Sequence, residues 1–481
     1  MSDAAAWLAA ADRSSDWSGI SATVAGLGSS GFAAADALLR VGARVTVLEA
    51  QRPGKDDDVL VKRADVLGTL GATVHLGAPD DVGVAGDLLV PSPGLRPTHP
   101  WIVRATAATT WSGEQLAWQL RPESTPWLTV TGTNGKTTTV QLVDAMLRAA
   151  GLRPLAAGNI GLPMAEAIFV EPGPEVFVVE LSSYQLHFTP SLSATASALL
   201  NIAPDHLDWH GSLTEYVRDK SRVFQGTQKA IVYNHDDRRV EELAEDADVV
   251  EGCRAIGFTL GIPERSMVGV VDGVLVDRAF IAERSSHAVE LVAIDALPDG
   301  SPPVVTDTLA AAALARSFGA PVEAVRGGAL SFEVDAHRGE TVDVVDEVAY
   351  VDNSKATNAH AADTALSATY HVVWIAGGLA KGGDFDSLVR RHRARLRGVV
   401  LIGVDQEPLR EAFRRHAPEV PLIAVPAGDT DPMRSAVGAA AALAQRHDTV
   451  LLAPACASMD QFVDYRARGR AFAEAVAHLR R

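Results

Sequence analysis

Short runs of β-branched and apolar residues alternate with Ala- and Leu-rich stretches along most of the chain. Residues 20–25 and 43–49 have the composition of strands, and residues 31–41 between them have that of a helix. This alternation predicts a parallel sheet with crossover helices. Further strands are predicted at residues 88–91, 127–131, 175–181, 197–202, 348–351, 372–375, 399–402 and 449–452, and further helices at 137–150, 213–224 and 306–318.

Two interruptions divide this pattern into three parts. Around residues 121–126 the chain is polar and contains two prolines, and a new strand begins at Trp127. A third α/β pattern starts near Val342, and a chain of 481 residues is long enough for roughly two to four domains. We therefore predict an α/β protein with three domains, at residues 1–113, 114–334 and 335–481. Residues 1–17 and 251–302 give no interpretable pattern.

Composition limits the partners of the chain. The net charge of −17 and the lack of a long Lys/Arg run argue against a nucleic-acid partner. Cys253 and Cys456 are far apart in the sequence, and they predict reduced, structural thiols rather than a disulfide framework or a zinc site. Neither a signal peptide nor an apolar stretch long enough to span a membrane is present in the sequence. We expect a soluble, cytoplasmic protein without a membrane partner.

A glycine-rich turn, Gly26-Leu-Gly28-Ser-Ser-Gly31, follows the first predicted strand and opens the first predicted helix. Such a turn presents backbone N–H groups and a helix N-terminus to a phosphate group. Glu49 ends the next predicted strand, where dinucleotide-binding folds have a ribose-binding acid. A tight strand-to-helix turn without a ligand explains the same residues, so the pattern leaves both interpretations open.

The strongest candidate for a phosphate site is Thr-Gly-Thr-Asn-Gly-Lys-Thr-Thr at residues 131–138, between a predicted strand and a predicted helix. The glycines let the backbone curl so that its amides point inward. Lys136 supplies a positive charge for the β- and γ-phosphates, and Thr137 supplies a hydroxyl group for Mg²⁺. Val130 stands where the general P-loop has its first glycine, so the loop is a shortened variant.

Three polar residues of the central domain have two interpretations each. Glu180 ends a predicted strand and is a candidate Mg²⁺ ligand beside the phosphate loop, although an acid at a strand end is more often solvated or a helix cap. His206, in Asp205-His206-Leu-Asp208, is a candidate metal ligand or substrate contact, and a plain polar loop explains it equally. Lys220 lies in a charged predicted helix and, taken alone, is expected to be exposed to solvent.

The third domain contains four polar clusters, at residues 337–340, 352–358, 377–385 and 454–462. Each cluster combines small residues with a cation or a hydroxyl group. That composition suits an anionic ligand such as a carboxylate or a phosphate. As isolated loops, none of the four specifies its ligand.

Taken together, these motifs resemble the Mur ligases over residues 26–472. Gly-Thr-Asn-Gly-Lys-Thr-Thr is similar to a motif of all Mur ligases and, in close variants, of folylpolyglutamate synthases. Glu180-Leu-Ser-Ser-Tyr-Gln-Leu and Pro454-Ala-Cys-Ala-Ser-Met-Asp-Gln-Phe resemble the branch of the family that adds D-glutamate. The resemblance implies a Rossmann-like UDP-binding domain, a central P-loop-type ATPase domain and a C-terminal Rossmann-like domain.

The resemblance also implies an activity. A Mur ligase of this branch would join D-glutamate to UDP-N-acetylmuramoyl-L-alanine, a step in the synthesis of peptidoglycan precursors. ATP would activate the carboxyl group as an acyl phosphate, and two Mg²⁺ ions would neutralise charge. The expected protein is a monomer whose partners are these three substrates.

The site residues of the family correspond to positions of this chain. The resemblance implies catalytic roles for Lys136, His206, Arg338 and Lys220, with Lys220 as a carbamate. ATP would be bound by Gly132, Thr133, Asn134, Gly135, Lys136, Thr137, Thr138, Arg338, Asp352 and Asn353. The UDP-linked substrate would be bound by Gly28, Ser29, Ser30, Gly31, Glu49, Ser92, Asn159, Ser182 and His206. D-Glutamate would be bound by Thr357, Lys381, Ser458, Met459 and Tyr465, and metal by Thr137, Glu180, His206 and Lys220.

Three other interpretations compete with this one. A different Mur enzyme or a folylpolyglutamate synthase shares the phosphate loop, although the turn at residues 26–31 argues against the folate enzyme. A GTPase switch needs an Asn-Lys-x-Asp motif, and the sequence contains no Asn-Lys pair. A non-catalytic binder of UDP-sugars or dinucleotides would leave the phosphate loop without a role.

Overall fold

Three separate β-sheets organise the chain in the computed structural model, which describes residues 3–53, 58–105, 109–333 and 336–480. One sheet lies in each of the three predicted regions, which confirms the α/β class. No described helix has both the length and the apolar character needed to cross a bilayer. Cys253 and Cys456 are both free thiols, as predicted, and burial raises the pKa of Cys456 to about 12.

The first sheet is parallel and has the strand order β3-β2-β1-β4-β5. The chain builds outward from β1 in one direction and then in the other, so β1 and β4 flank the point where the order reverses. Ligands of open α/β sheets bind at the carboxyl ends of such strands. The strands are Ser21–Ala25 (β1), Arg44–Glu49 (β2), Thr73–Leu76 (β3), Leu88–Pro91 (β4) and Thr109–Thr110 (β5). The helices are Asp3–Ala10 (α1), Ser29–Arg40 (α2), Asp58–Thr69 (α3), Pro100–Arg104 (α4) and Gly113–Leu120 (α5).

The second sheet has nine strands in the order β14-β13-β12-β11-β10-β9-β6-β8-β7. Strand β6 lies between β9 and β8, so the carboxyl ends of these strands surround the phosphate loop. The strands are Trp127–Thr131 (β6), Pro154–Gly158 (β7), Val176–Glu180 (β8), Ala196–Leu199 (β9), Ala230–Asn234 (β10), Arg254–Phe258 (β11), Met267–Val271 (β12), Val274–Asp277 (β13) and Val289–Ala293 (β14). The helices are Lys136–Ala149 (α6), Met164–Ala167 (α7), Ser183–His187 (α8), Leu207–His210 (α9), Leu213–Ser221 (α10), Arg238–Glu245 (α11), Pro302–Phe318 (α12) and Val322–Leu330 (α13).

The uninterpreted segment 251–302 supplies β11 to β14, which extend the second sheet on one side. β12, β13 and β14 pair in antiparallel fashion, whereas β11 pairs in parallel with β10. They were not predicted from the sequence, although Met267–Val271 and Val274–Asp277 are apolar, β-branched runs separated by Asp272-Gly273, a pattern typical of a β-hairpin. Arg316 holds this region to α12, because its Nε donates a hydrogen bond of 2.9 Å to the fully buried Asp277.

The third sheet has the order β15-β16-β20-β17-β18-β19 and is parallel except for its edge strand β15. Apolar clusters cover both of its faces. The strands are Glu340–Val345 (β15), Val348–Asp352 (β16), Val372–Gly377 (β17), Leu396–Ile402 (β18), Leu422–Ala424 (β19) and Thr449–Leu452 (β20). The helices are Ala359–Ser367 (α14), Phe385–His392 (α15), Glu407–His416 (α16), Pro432–Leu443 (α17) and Tyr465–His478 (α18).

Two compact units divide the described residues differently from the three predicted domains. One unit contains residues 3–202 and 214–333, and the other contains residues 203–213 and 336–480. The first two predicted domains therefore belong to one unit. The segment 203–213, which carries His206, belongs with the C-terminal sheet rather than with the central one. The predicted boundary at residues 334 and 335 lies outside the described residues.

The N-terminal segment, which the sequence left uninterpreted, packs inside the first unit. Leu8 and Trp17 are fully buried. Nε2 of Gln119 in α5 donates hydrogen bonds to the carbonyl oxygens of Leu8 and Ala9, which end α1. Arg13 donates a hydrogen bond of 3.0 Å to the carbonyl oxygen of Ile168, just after α7. The segment thus ties the first sheet's region to the central one.

Candidate functional site

The glycine-rich turn at residues 26–31 meets Ser92 at the point where the order of the first sheet reverses. Gly26 has φ +101°, and a Cβ atom added to it would lie 2.7 Å from Cβ of Ser92. A Cβ atom on Gly31 would collide with the carbonyl oxygen of Gly26. Both positions therefore need glycine, and the turn opens α2 beside Ser92. The predicted residues Gly28, Ser29, Ser30, Gly31 and Ser92 lie together at this edge.

Glu49 supports the same turn with its carboxylate. One oxygen accepts a hydrogen bond of 2.7 Å from the backbone N–H of Leu27, and the other accepts one of 2.9 Å from the N–H of Gln51. Hydrogen bonds of this kind fix the loop that follows β1. Contact of Glu49 with a ligand stays a prediction.

The phosphate loop curls between β6 and α6 as the sequence predicts. Gly132 has φ +159° and Gly135 has φ +86°, conformations that side chains disfavour. The backbone N–H of Asn134 donates to Oδ1 of Asn201, and Nδ2 of Asn201 donates back to the carbonyl oxygen of Asn134. Nζ of Lys136 donates hydrogen bonds of 2.9 Å to the carbonyl oxygens of Gly132 and Thr133. Asn201, two residues after the neighbouring strand β9, thus holds the loop in place.

Helix α10 contributes two side chains to the phosphate loop. Lys220 is 2% exposed, and its Nζ donates a hydrogen bond of 2.8 Å to the carbonyl oxygen of Gly132. The hydroxyl groups of Tyr216 and Thr133 are 2.8 Å apart and hydrogen bonded. The expectation that Lys220 is exposed is therefore wrong. Tyr216 was not predicted from the sequence, although its spacing of four residues from Lys220 puts both on one helix face.

Glu180 lies beside the phosphate loop, at the end of the strand that pairs with β6. Its side chain is 2% exposed, so a solvated carboxylate, the interpretation favoured for an isolated acid, is wrong. Oε1 accepts a hydrogen bond of 2.8 Å from Nδ2 of Asn159. Oε2 is buried without a hydrogen-bond partner among the described residues, as is Oγ1 of Thr138. A buried carboxylate oxygen is costly unless it is paired, and Mg²⁺ prefers oxygen ligands, so these residues fit a divalent cation.

Asp307 in α12 is a second residue at the phosphate loop that was not predicted from the sequence. It is 6% exposed, and a Cβ atom added to Gly135 would collide with its carboxylate. An acid in the middle of an Ala-rich helix gives no local signal of this position. Only the packing of α12 against α6 brings Asp307 to the phosphate loop.

In the second unit, three predicted loops converge at the carboxyl edge of the third sheet. Asp352, Asn353 and Thr357 follow β16, Lys381 follows β17, and Ser458 and Met459 follow β20, which lies between those two strands. Leu379 and Ala457 exchange backbone hydrogen bonds of 2.9 and 3.0 Å, which join two of the loops. The predicted D-glutamate residues therefore lie on neighbouring loops, and Tyr465 opens α18 nearby in the chain.

Arg468 is hydrogen bonded to two of these loops. It was not predicted from the sequence. It is 1% exposed, its Nη1 donates to the carbonyl oxygen of Cys456, and its Nη2 donates to that of Ser354. Burial lowers the pKa of its guanidinium to about 10. A cation that binds two backbone carbonyls holds the loops at residues 352–358 and 454–462 in register.

The predicted nucleotide residues of the second unit have different environments. Asp352 accepts hydrogen bonds on both oxygens, from the Ser354 N–H at 2.9 Å and from Nδ1 of His337 at 2.6 Å. Nε of Arg338 is buried without a hydrogen-bond partner in the part of the chain that the structure describes. Both carboxylate oxygens of Asp352 are therefore hydrogen bonded within the protein, whereas the Nε–H of Arg338 has no acceptor among the described residues. Their contacts with ATP stay predictions.

His206 has φ +55° and belongs to the segment 203–213 of the second unit. The preceding residue, Asp205, accepts a hydrogen bond of 2.9 Å from the His206 N–H and one of 3.1 Å from Nδ2 of Asn358. Asn358 also caps α14. Asp205, the neighbour of His206 in the chain, is thus hydrogen bonded to Asn358 in the loop that carries Thr357.

Comparison with known proteins places these features in a family. A family model described as the Mur ligase middle domain matches residues 130–266. The UDP-N-acetylmuramoylalanine–D-glutamate ligase of Streptomyces avermitilis is 52% identical over 464 residues, which cover 96% of this chain and 98% of that protein. A similar ligase from Streptomyces coelicolor is 51% identical, with 97% of this chain and 99% of that protein covered.

Solved structures with low sequence identity share the fold. A pseudomurein peptide ligase type C from Methanothermus fervidus has a TM-score of 0.58 at 17% identity, and the match covers 96% of this chain and all of that one. A bifunctional folylpolyglutamate synthase/dihydrofolate synthase with Mn, AMPPNP and L-glutamate bound has a TM-score of 0.50 at 18% identity, with 74% of this chain and 90% of that one covered.

Proposed function

The chain belongs to the Mur ligase family, in the branch of UDP-N-acetylmuramoylalanine–D-glutamate ligases, and from that premise we propose how it works. It is an ATP-dependent ligase that joins D-glutamate to UDP-N-acetylmuramoyl-L-alanine in peptidoglycan precursor synthesis. An amide bond forms between the free carboxyl group of the alanine and the amine of D-glutamate. ADP and phosphate leave.

One observation carries the site assignment: the phosphate loop, Lys220 and Glu180 meet at the carboxyl edge of the second sheet. Lys220 contacts the carbonyl oxygen of Gly132, and Glu180 ends the strand next to β6. Two buried ionisable side chains, Lys220 and Glu180, therefore lie beside the loop proposed to bind phosphate. Charge at such a site supports phosphoryl transfer, where positioning and electrostatic stabilisation supply most of the catalysis.

The reaction needs activation because a carboxylate does not react with an amine at neutral pH. The carboxylate oxygen of the alanine attacks the γ-phosphorus of ATP, the bond to the β-phosphate oxygen breaks, and an acyl phosphate forms. The amine of D-glutamate then attacks the acyl carbon, and phosphate leaves. In our scheme Lys136 neutralises the β- and γ-phosphates. Arg338, whose Nε has no hydrogen-bond partner among the described residues, stabilises charge during the transfer.

The residues that would hold Mg²⁺ are Thr137, Glu180, His206 and Lys220 as a carbamate. Glu180 supports this assignment most directly, because its Oε2 is a buried oxygen without a hydrogen-bond partner among the described residues. When bound, Mg²⁺ neutralises the phosphate oxygens. We propose two ions, and the manganese in the folylpolyglutamate synthase structure supports the use of a divalent metal in this fold.

The substrates divide among the three sheets in this proposal. The turn at residues 26–31, with Ser92 and Glu49, binds the UDP group, and Asn159, Ser182 and His206 bind the part that reacts. The loops that carry Thr357, Lys381 and Ser458 bind D-glutamate, since a lysine and two hydroxyl groups suit its carboxylates. We propose that the protein acts as a monomer in the cytoplasm, where ATP is supplied.

The test is phosphate release from ATP by the purified protein. We expect release to depend jointly on UDP-N-acetylmuramoyl-L-alanine and D-glutamate, with formation of the amide product confirmed by mass. L-Glutamate, L-alanine and meso-diaminopimelate serve as matched controls that replace D-glutamate. A folate substrate replaces UDP-N-acetylmuramoyl-L-alanine and tests for the activity of a folylpolyglutamate synthase. Equal or faster turnover with any control would contradict the assignment.

A further inference from the structure

A buried line of hydrogen bonds runs from Glu114 in α5 through Gln185 in α8 to Ser182. Oε1 of Glu114 accepts a hydrogen bond of 2.6 Å from Nε2 of Gln185. Oε1 of Gln185 accepts two hydrogen bonds of 2.7 Å, one from the backbone N–H of Ser182 and one from its hydroxyl group. Glu114 and Gln185 are each 3% exposed, so water does not compete for these contacts.

The chemistry of the three groups fixes the orientation of the Gln185 amide. The backbone N–H of Ser182 can only donate, so the amide atom that faces it must be the oxygen. The amide nitrogen then faces Glu114, whose carboxylate is the acceptor that it requires. Glu114 therefore stabilises the one orientation in which the Ser182 hydroxyl donates to Gln185.

In this arrangement the hydroxyl group of Ser182 can still accept a hydrogen bond but can no longer donate one. Its Oγ donates its only hydrogen to Gln185 and accepts a hydrogen bond of 3.3 Å from the Gln185 N–H. One lone pair of the oxygen is left. We propose that Glu114 is a positioning residue, which through Gln185 presents Oγ of Ser182 as a hydrogen-bond acceptor to an N–H or O–H group of the UDP-linked substrate. The inference rests on the proposed function, in which Ser182 contacts that substrate.

Other contacts hold the backbone around this line in place. Ser112 and Thr189 form a hydroxyl pair at 2.7 Å. Nε2 of Gln115 donates to Oγ of Ser191, and the Ser191 N–H donates back to Oε1 of Gln115. These bonds anchor the segment after α8 to the start of α5, and the Gln115–Ser191 pair does so without using Glu114. Removal of the Glu114 carboxylate should therefore release the Gln185 amide while the segment stays in position.

A second observation indicates that Glu114 has more than a structural role. Its Oε2 is buried without a hydrogen-bond partner among the described residues, and such a group costs stability. Burial also raises the pKa of Glu114 to about 7. A glutamine or an apolar residue would fill the same space at lower cost. Destabilising groups of this kind are found mostly at functional sites.

The experiment compares Glu114→Leu with Glu114→Gln in the full-length protein. Leucine removes the acceptor, and we expect KM for UDP-N-acetylmuramoyl-L-alanine to rise about tenfold, the loss of a contact worth roughly 1.4 kcal/mol. The KM values for ATP and D-glutamate should stay at the parent's level. Glutamine retains an acceptor oxygen and should restore KM for the UDP-linked substrate. Gln115→Leu breaks the neighbouring pair with Ser191 but leaves the Ser112–Thr189 pair to hold the segment, so this matched control should leave all three KM values unchanged.

A double-mutant cycle separates orientation from folding. Ser182→Ala should raise the same KM, and Glu114→Leu combined with Ser182→Ala should be no worse than Ser182→Ala alone. The proposal would be overturned if the increases in KM caused by Glu114→Leu and Ser182→Ala multiply in the double variant. It would also be overturned if Glu114→Leu raised all three KM values equally. Gln185→Leu breaks the line at its other end and decides the question if Glu114→Leu fails to fold. An unchanged KM in Ser182→Ala would instead refute the contact of Ser182 with substrate, which is a failure of the proposed function itself.

Discussion

The ammonium nitrogen of Lys220 lies 2.8 Å from the carbonyl oxygen of Gly132 and donates a hydrogen bond to it. Lys220 is at the buried end of α10, and Gly132 begins the turn of the phosphate loop. A substitution at position 220 therefore acts directly on the loop, although the two residues are 88 positions apart in the sequence.

Lys220→Ala should lower kcat at least a hundredfold, on the order of what loss of one stabilising group at a reaction centre costs. If the lysine acts as a carbamate, a small carboxylic acid such as acetate should restore part of the activity, because it can replace the lost anion. Lys229→Ala, at an exposed position of the same region, is the control. Rescue by ethylamine instead of acetate would indicate that the ammonium form is the active one.

Lys136→Ala should lower kcat by about 10²–10³-fold, because the variant lacks the cation expected to neutralise the β- and γ-phosphates. Steady-state assays with ATP varied would measure this loss, and circular dichroism would confirm the fold. Should the folded variant form the amide product at the parent's rate, the phosphate loop has been assigned wrongly.

Glu180→Gln should raise the Mg²⁺ concentration required for half-maximal activity. The amide oxygen of glutamine can still accept the hydrogen bond from Asn159, but the negative charge expected to bind the ion is lost. Titration of activity with Mg²⁺ at saturating substrates is the measurement. Glu175→Gln, at the exposed start of the same strand region, should leave the titration unchanged. Identical titrations for parent and Glu180→Gln would exclude Glu180 as a ligand.

Arg316→Leu should destabilise the first unit by about 3–5 kcal/mol, because it leaves the carboxylate of Asp277 buried without its ion-pair partner. Thermal unfolding followed by circular dichroism would show the lower midpoint. The double variant Arg316→Leu with Asp277→Leu should recover part of the loss, since no lone charge is left. A midpoint equal to the parent's in the single variant would contradict the role of this pair.

Glu114 should make stability depend on pH in a direction opposite to that of most acids. Burial raises its pKa from 4.5 to about 7, so the folded state retains a proton that the unfolded state releases. This contribution is fully present below pH 4.5 and is lost as pH rises to about 7; at roughly 1.4 kcal/mol per pKa unit it amounts to a few kcal/mol. Urea unfolding at several pH values would measure it. Glu114→Gln should be relatively more stable than the parent at pH 8 than at pH 5, and a constant difference would contradict the assignment.

The sequence predicted most local structure of the first and third sheets and of the phosphate loop. The strands Leu88–Pro91, Trp127–Thr131 and Thr449–Leu452 begin and end at the predicted residues. Buried parallel strands are continuous apolar runs, and a glycine-rich turn between strand and helix has a local backbone requirement, so both leave a signal in short stretches of sequence. The antiparallel strands of residues 267–293 were missed, although two β-branched runs on either side of Asp272-Gly273 are also a local signal, that of a β-hairpin.

What the sequence by itself determined was the chemistry available: a loop for phosphate, acids and a lysine at strand or helix ends, and the resemblance of their spacing to one family. Only the tertiary structure decided that Lys220 is buried on Gly132, that Tyr216 and Asp307 reach the same loop, and that Glu114 sets the orientation of Gln185. The physical reason is that burial and partnership of a charge depend on side chains distant in sequence. Periodicity describes one helix or strand at a time and contains no information on what packs against it.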